Sequence, residues 1–146
     1  MWIRSESKSG NYSSAAYHYA CVYRRAYDAA SHCYYKLAIE PSLRSKGCGG
    51  RATETLKTLY GDYRQTVDFE ILDQAAENNE QRRKRRSFYL CNGYGPTGYG
   101  LSYRDVTYEV MCSDLGFEIE GFRELMSKIP LDGLDPRYFR IKEQNK

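Results

Sequence analysis

The sequence has no long apolar run; its unbroken apolar stretches are only a few residues long, far short of the roughly 20 that carry a helix across a bilayer. No helical membrane span is expected. The first eight residues, Met1 to Lys8, have no apolar core of the kind a secretory signal needs, so a cytoplasmic location is the default expectation. Histidine is scarce, with only His18 and His32, and the five cysteines are odd in number and widely spaced, without a C-x-x-C pair. Neither a metal site nor a disulfide framework is expected from such a set, and both histidines are assigned structural or surface roles.

What is present fits a globular chain. At 146 residues, with 41% apolar and 28% charged residues, the chain is long enough to bury a core without a staple. Fifteen tyrosines, many adjacent or alternating, favour strands. The net charge of +3 conceals a local imbalance, because Arg82-Arg83-Lys84-Arg85-Arg86 alone brings five cations.

Along the chain, residues 1–15 are polar, rich in Ser and Gly and without period, which predicts a loosely ordered arm. Ala16 to Tyr23 and Cys33 to Glu40 read as the two strands of an antiparallel hairpin, joined by a polar, Ala-rich connection. Pro41 ends the second strand. A Gly-rich loop then leads into a helix over Arg51 to Tyr60, whose Ala52, Leu56, Leu59 and Tyr60 share one face. Thr66 to Leu72 alternates, with Val67, Phe69 and Ile71 on one side and Asp68 and Glu70 on the other, as in a half-buried strand. Asn78 is a candidate N-cap, with Gln81 three residues on, for a helix running to about Cys91 and ended by Asn92-Gly93. Tyr99 to Tyr103 and Val106 to Met111 predict a second hairpin. Ile119, Phe122, Leu125, Met126 and Ile129 then form a helical stripe stopped by Pro130. The order implies a mixed α/β class, with one domain over 16–130 and a C-terminal tail over 131–146.

The Gly-rich segment carries the chemistry. A strand that passes through glycines into a helix start aims several backbone N–H groups at one spot, where an anion binds. Gly47, Gly49 and Gly50 let a phosphate approach without Cβ clashes, and Arg44, Lys46 and Arg51 add positive charge. The segment has neither the Lys-Ser/Thr pair of a P-loop nor a G-x-G-x-x-G pattern, which argues against nucleoside triphosphates and NAD.

Leu37-Ala38-Ile39-Glu40-Pro41-Ser42-Leu43-Arg44-Ser45-Lys46-Gly47-Cys48-Gly49 resembles the strand, R/Q-x-x-G-x-G/A and helix pattern of GNAT-type N-acetyltransferases, with Arg44, Gly47 and Gly49 at its fixed positions. Ser87-Phe88-Tyr89-Leu90-Cys91-Asn92-Gly93-Tyr94 is similar to the family's later aromatic-Tyr, Gly-aromatic signature. The resemblance runs from about Tyr34 to Tyr94. It implies a GNAT-like acyl-CoA N-acyltransferase fold and acetyl-CoA as cofactor. The pantetheine would lie along Leu37 and Ile39, with the pyrophosphate on Arg44, Lys46, Gly47, Cys48, Gly49, Gly50 and Arg51, where Cys48 contributes its backbone.

The implied reaction is direct attack of a primary amine, of a small molecule or a protein, on the thioester. Tyr89 is then the candidate general acid for the leaving sulfur and Glu70 the candidate base, with Asp68 as its backup. A complete GNAT domain carries a strand and two helices before its hairpin, so by this resemblance the chain reads as N-terminally truncated. A homodimer or a partner chain is expected to cover the missing lobe, or else the protein binds CoA or a partner with little or no turnover. The Arg82 to Arg86 run could touch nucleic acid, neighbour the CoA phosphates or be solvated. No recognised nucleic-acid motif accompanies it, and its first turns are expected in solvent.

Overall fold

The computed structural model describes residues 2–3, 20–22, 25–27, 32–34, 37–39, 41–128 and 135–142. Five short strands come first: β1 (Trp2–Ile3), β2 (Ala20–Val22), β3 (Arg25–Tyr27), β4 (His32–Tyr34) and β5 (Leu37–Ile39). A 3-10 turn over Pro41–Leu43 leads into α1 (Cys48–Leu59), β6 (Arg64–Glu70), α2 (Asn79–Cys91), β7 (Gly95–Tyr103), β8 (Val106–Cys112), α3 (Ile119–Ser127) and β9 (Arg137–Arg140). The strands form a three-stranded sheet, β1-β2-β5, and a six-stranded sheet, β3-β4-β6-β8-β7-β9. The class is mixed α/β, as the sequence implies. Among the described residues, no helix is long and apolar enough to cross a membrane.

The first hairpin differs from its sequence reading. β2 does pair antiparallel with β5, Ala20 opposite Ile39. The expected connection, however, contributes β3, which pairs antiparallel with β4. The single strand expected over Cys33 to Glu40 is therefore divided between two sheets, β4 in one and β5 in the other. Local strand preference shows that a segment pairs, not which partner each half takes. Beyond β1, the arm over residues 1–15 lies outside the described residues, as do residues 16–19, 23, 35, 36 and 40 of the two expected strands.

Helix α1 begins three residues earlier than its apolar pattern suggests. Gly47 adopts a left-handed conformation (φ 76°) that turns the chain, and the Arg51 amide donates to the Gly47 carbonyl at 3.1 Å. The buried face is Cys48, Thr53 and Leu56, whereas Leu59, expected in the core, is 58% exposed. Thr53 can be buried because its hydroxyl donates to the Gly50 carbonyl at 2.8 Å.

Strand β6 is buried from Gln65 to Phe69, not half-buried as its alternation suggests. The reason is a helical layer on each side of the six-stranded sheet. Val67 and Phe69, with Met111 of β8, pack on Leu56 of α1 and Tyr89 of α2. On the opposite face Val110 of β8 and Leu101 of β7 pack on Phe122, Leu125 and Met126 of α3. Each fully buried aliphatic or aromatic side chain contributes roughly 1.5–3 kcal/mol, so these two clusters hold the layers together.

The second hairpin forms as expected between β7 and β8. Its turn residues Arg104 and Asp105 both have positive φ, 47° and 62°, the signature of a type I′ turn. β7 is irregular between Pro96 and Gly100, and there the Thr97 hydroxyl donates to the Val110 carbonyl at 2.8 Å. Of the α3 stripe, Ile129 lies outside the described residues.

The segment read as a C-terminal tail supplies β9, antiparallel to β7. Tyr138 joins the α3-side cluster, while Phe139 sits opposite Gly100 on the other face. A methyl group on Gly100 would meet the Phe139 ring at 2.5 Å and the Tyr108 carbonyl oxygen at 2.8 Å. Gly100→Ala is therefore expected to cost about 1–3 kcal/mol, read as a lower urea midpoint with an unchanged slope. An unchanged midpoint would mean that β9 is not held against β7 at this residue.

Candidate functional site

The Gly-rich segment sits where the chain leaves β5 and enters α1. Arg44 staples it back to the strand, its Nε donating to the Ile39 carbonyl at 3.1 Å. Arg51 folds over it from the first turn of α1, its guanidinium reaching the Lys46 carbonyl at 3.4 Å and the Cys48 sulfur at 3.3 Å. Gly47 caps α1 without a side-chain hydrogen bond, and no acidic residue lies in the first turn. The amides of Cys48, Gly49 and Gly50 donate to no partner among the described residues. Three N–H groups at the positive end of a helix, flanked by exposed Arg44 and Lys46, form a place suited to an anion. Cys48 itself is buried, which leaves its backbone as the part available to a ligand.

The second family-like segment meets the first directly. A methyl group on Gly49 would lie 2.9 Å from the Phe88 ring and one on Gly50 would lie 3.5 Å from Asn92 Oδ1. Gly49 is thus required by the approach of α2, in addition to any ligand. The aromatic-Tyr, Gly-aromatic signature has its own local cause. The Gly93 amide donates to the Leu90 carbonyl at 3.2 Å and the Tyr94 amide to the Tyr89 carbonyl at 3.0 Å, with Gly93 at φ 80°. This is a Schellman stop, and its customary apolar contact is made by Tyr94 against Tyr89, centroids 5.5 Å apart. Lys57 of α1 completes the end by donating to the Asn92 carbonyl.

Tyr89, the candidate acid, is 5% exposed. Its ring stacks on Phe69 at 5.4 Å and meets Phe88 edge-on at 5.2 Å. Its hydroxyl has no hydrogen-bond partner among the described residues. Burial pushes this phenol well above the usual tyrosine range; neighbouring Tyr94 adds to the shift and Arg85 opposes it. The group is a proton donor throughout the neutral and mildly alkaline range.

The candidate bases lie on the other face. Val67 and Phe69 stand opposite Met111 and Glu109, whereas Asp68 and Glu70 stand opposite Val110 and Tyr108, on the α3 side. Glu70 is also engaged: Arg82 Nε lies 3.0 Å from its Oε2 and the Asn78 side-chain amide donates to the same oxygen at 3.0 Å. Arg82 further donates to the Ile71 carbonyl at 2.8 Å. Asn78 thus uses its side chain to bind Glu70 and Arg82, and not to cap α2 as the sequence suggests. Asp68 is buried.

Between the two faces, the sheet opens. β4 runs parallel to the start of β6, His32 opposite Arg64 and Tyr34 opposite Thr66. The pairing of β4 with β6 ends at Thr66, and Leu37 to Ile39 pair with β2 instead. From Val67 to Glu70, β6 pairs only with β8 among the described residues. Leu37 packs on the Leu56 and Tyr89 cluster, and Ile39 lies next to Gly49, so both candidate cofactor residues border this opening. A shallow polar recess of about 610 Å³ beside Tyr63, Arg64 and Asp114 lies at the opposite end of β6, and no candidate residue lines it.

The expectation that the first turns of the helix carrying the basic run lie in solvent holds for Arg83, Lys84 and Arg85 but not for Arg82 and Arg86. Arg82 binds Glu70, and Arg86 forms a two-point bond to Glu109, at 2.9 and 3.3 Å. Spacings of four and then three residues put Arg82, Arg86 and Tyr89 on one sheet-facing stripe, which the sequence reading missed. The available signal was Glu109, a carboxylate inside the apolar run Val106–Cys112. Arg83, Lys84 and Arg85 remain exposed. Arg86→Ala would leave Glu109 buried without its partner. A loss of about 2–3 kcal/mol in chemical denaturation is expected, below the fully buried range because the Arg86 side chain is 31% exposed. A loss under a few tenths would show that the pair does not hold α2 to β8.

No protein-family model matches the chain, and no match is found among curated proteins or solved structures.

Proposed function

We propose that this protein is a GNAT-type N-acetyltransferase that transfers acetyl from acetyl-CoA to a primary amine by direct attack. The observation that carries the reading is the opening beside β6. A strand parallel to β6 leaves it after Tyr34, and the departing chain passes within a few residues into the α1 loop with its available amides. An extended pantetheine chain would lie along Leu37 and Ile39, with its pyrophosphate on the amides of Cys48, Gly49 and Gly50.

Placement of the titratable groups supports the same chemistry. Leaving sulfur and attacking nitrogen are bound to one carbon in the tetrahedral intermediate, so they can be served from opposite faces of an open sheet. Tyr89, on the α1 and α2 face, keeps its proton and can give it to the sulfur. Glu70, positioned by Arg82 and Asn78, and Asp68 beside it on the α3 face are the carboxylates offered to draw a proton from the amine through water. The acceptor is a primary amine of a small molecule or a protein.

Titration calorimetry with acetyl-CoA tests the cofactor assignment. Saturable binding is expected, and Gly47→Trp, which forces a bulky residue into a left-handed position beside the loop, abolishes it. No heat at millimolar acetyl-CoA would remove the assignment. Thiol release with a panel of amines tests turnover. Tyr89→Phe is expected to keep cofactor binding and to lower kcat by about 10²-fold or more. Because burial raises the Tyr89 pKa, activity shows no alkaline fall between pH 8 and 10 from this phenol.

A second reading, a CoA-binding relative that binds a partner with weak or no turnover, is favoured by one observation, the engagement of Glu70 by Arg82 and Asn78. Under it the wild type releases no thiol above background while still binding acetyl-CoA.

A further inference from the structure

Three pairs of tyrosine and arginine lie on the sheet face that carries α3. The Arg140 guanidinium lies 4.4 Å over the Tyr99 ring, that of Arg123 5.4 Å over Tyr138 and that of Arg104 5.3 Å over Tyr103. The strand register gathers them. Tyr99 stands opposite Arg140 and Leu101 opposite Tyr138, and alternation along β7 turns Tyr99, Leu101 and Tyr103 to one face. Tyr138, level with Leu101, therefore sits between Tyr99 and Tyr103, which are about 13 Å apart along the strand.

The rings are held from below. Tyr103 and Tyr138 pack on the buried cluster of Leu101, Val110 and Phe122. Tyr99 reaches the same cluster through Phe117, 6.0 Å away, which is 5.7 Å from Phe122. All three tyrosines are half-buried, whereas Arg104, Arg123 and Arg140 are exposed. Arg123 shares its charge with Glu120 at 3.6 Å, but Arg104 and Arg140 have no carboxylate partner among the described residues. Fixed rings beside exposed guanidiniums put planar stacking surfaces and phosphate-binding forks on one ledge.

We infer that this ledge of β7 and β9 is a binding surface for single-stranded nucleic acid, with bases stacked on the tyrosine and arginine planes and phosphates on the guanidinium edges. A single strand presents both chemistries together, flat unpaired bases and a charged backbone. A duplex hides its base faces, and an acidic peptide matches the charges but brings no flat partner for the rings. The ledge lies across the sheet from the face on which Leu56 of α1 and Tyr89 pack, so the assignment stands whether or not the chain binds acetyl-CoA.

Fluorescence anisotropy on the full chain tests it, with labelled oligothymidylate and oligouridylate of about twelve nucleotides. Saturable binding of at least one strand is expected. Its affinity falls with salt at a log–log slope of about −2, from three phosphate contacts at roughly 0.7 each. Arg104→Gln with Arg140→Gln, both at exposed positions, lowers the affinity about tenfold or more and brings the slope to about −0.7. Tyr103→Leu keeps an apolar residue against the α3 cluster and removes a stacking ring; it weakens binding about fivefold or more with the slope unchanged. Arg83→Gln with Lys84→Gln, on α2, leaves binding unchanged. No binding of either strand at low salt would overturn the inference. So would a duplex of equal length or a polyglutamate that binds as tightly, a Tyr103→Leu variant that binds like the wild type, or an equal loss in the α2 variant.

Discussion

Phe88 lies so close to Gly49 that a single methyl group there would stand 2.9 Å from its ring. This contact between the first turn of α1 and the last of α2 sets the position of everything proposed to meet the cofactor. It places the amides of Cys48 to Gly50 beside the aromatic group of Phe88, Tyr89 and Tyr94. The Schellman stop at Gly93 secures the far end of α2, and Lys57 ties that end to α1 by bonding Asn92 and lying 4.8 Å over the Tyr94 ring. Close packing makes such a junction intolerant of added volume. The loop and the aromatic pair are two parts of one rigid unit.

Charge is arranged in two ways around that unit. On the sheet side of α2, cations replace the apolar residues that normally seat a helix: Arg82 closes onto Glu70 and Ile71, and Arg86 onto Glu109. Their aliphatic stems cover the sheet while their heads are neutralised. On the loop side, Arg44 and Lys46 remain exposed around amides that have no acceptor among the described residues. The same five-residue run thus holds the helix in place through Arg82 and Arg86 and leaves Arg83, Lys84 and Arg85 exposed.

Much of this was legible in the residues. Asn92-Gly93 marks the end of α2 and the α3 stripe marks its buried face through local chemistry, and the two short runs Tyr99 to Tyr103 and Val106 to Met111 mark the second hairpin. The division of Cys33 to Glu40 between two sheets was not legible, because strand partners are chosen by the tertiary fold. Nor was the burial of both faces of β6: Asp68 and Glu70 read as a solvated face until α3 is known to lie over it. The Arg137–Arg140 strand escaped notice because four residues carry too little periodicity. At the candidate site, the loop glycines and Tyr89 were marked by the sequence. The role of Gly49 as a packing residue, the Arg82 hold on Glu70 and the separation of Tyr89 from the carboxylates depend on contacts distant in sequence.

The central claim is that the amides opening from α1 receive the phosphates of acetyl-CoA. Amide chemical shifts of the ¹⁵N-labelled protein test it most directly. On titration with acetyl-CoA, the resonances of Cys48, Gly49 and Gly50 should shift together, saturate, and share one dissociation constant with those of Leu37 and Ile39. Unchanged shifts at these five residues under saturating acetyl-CoA, or changes confined to the recess near Arg64 and Asp114, would contradict it.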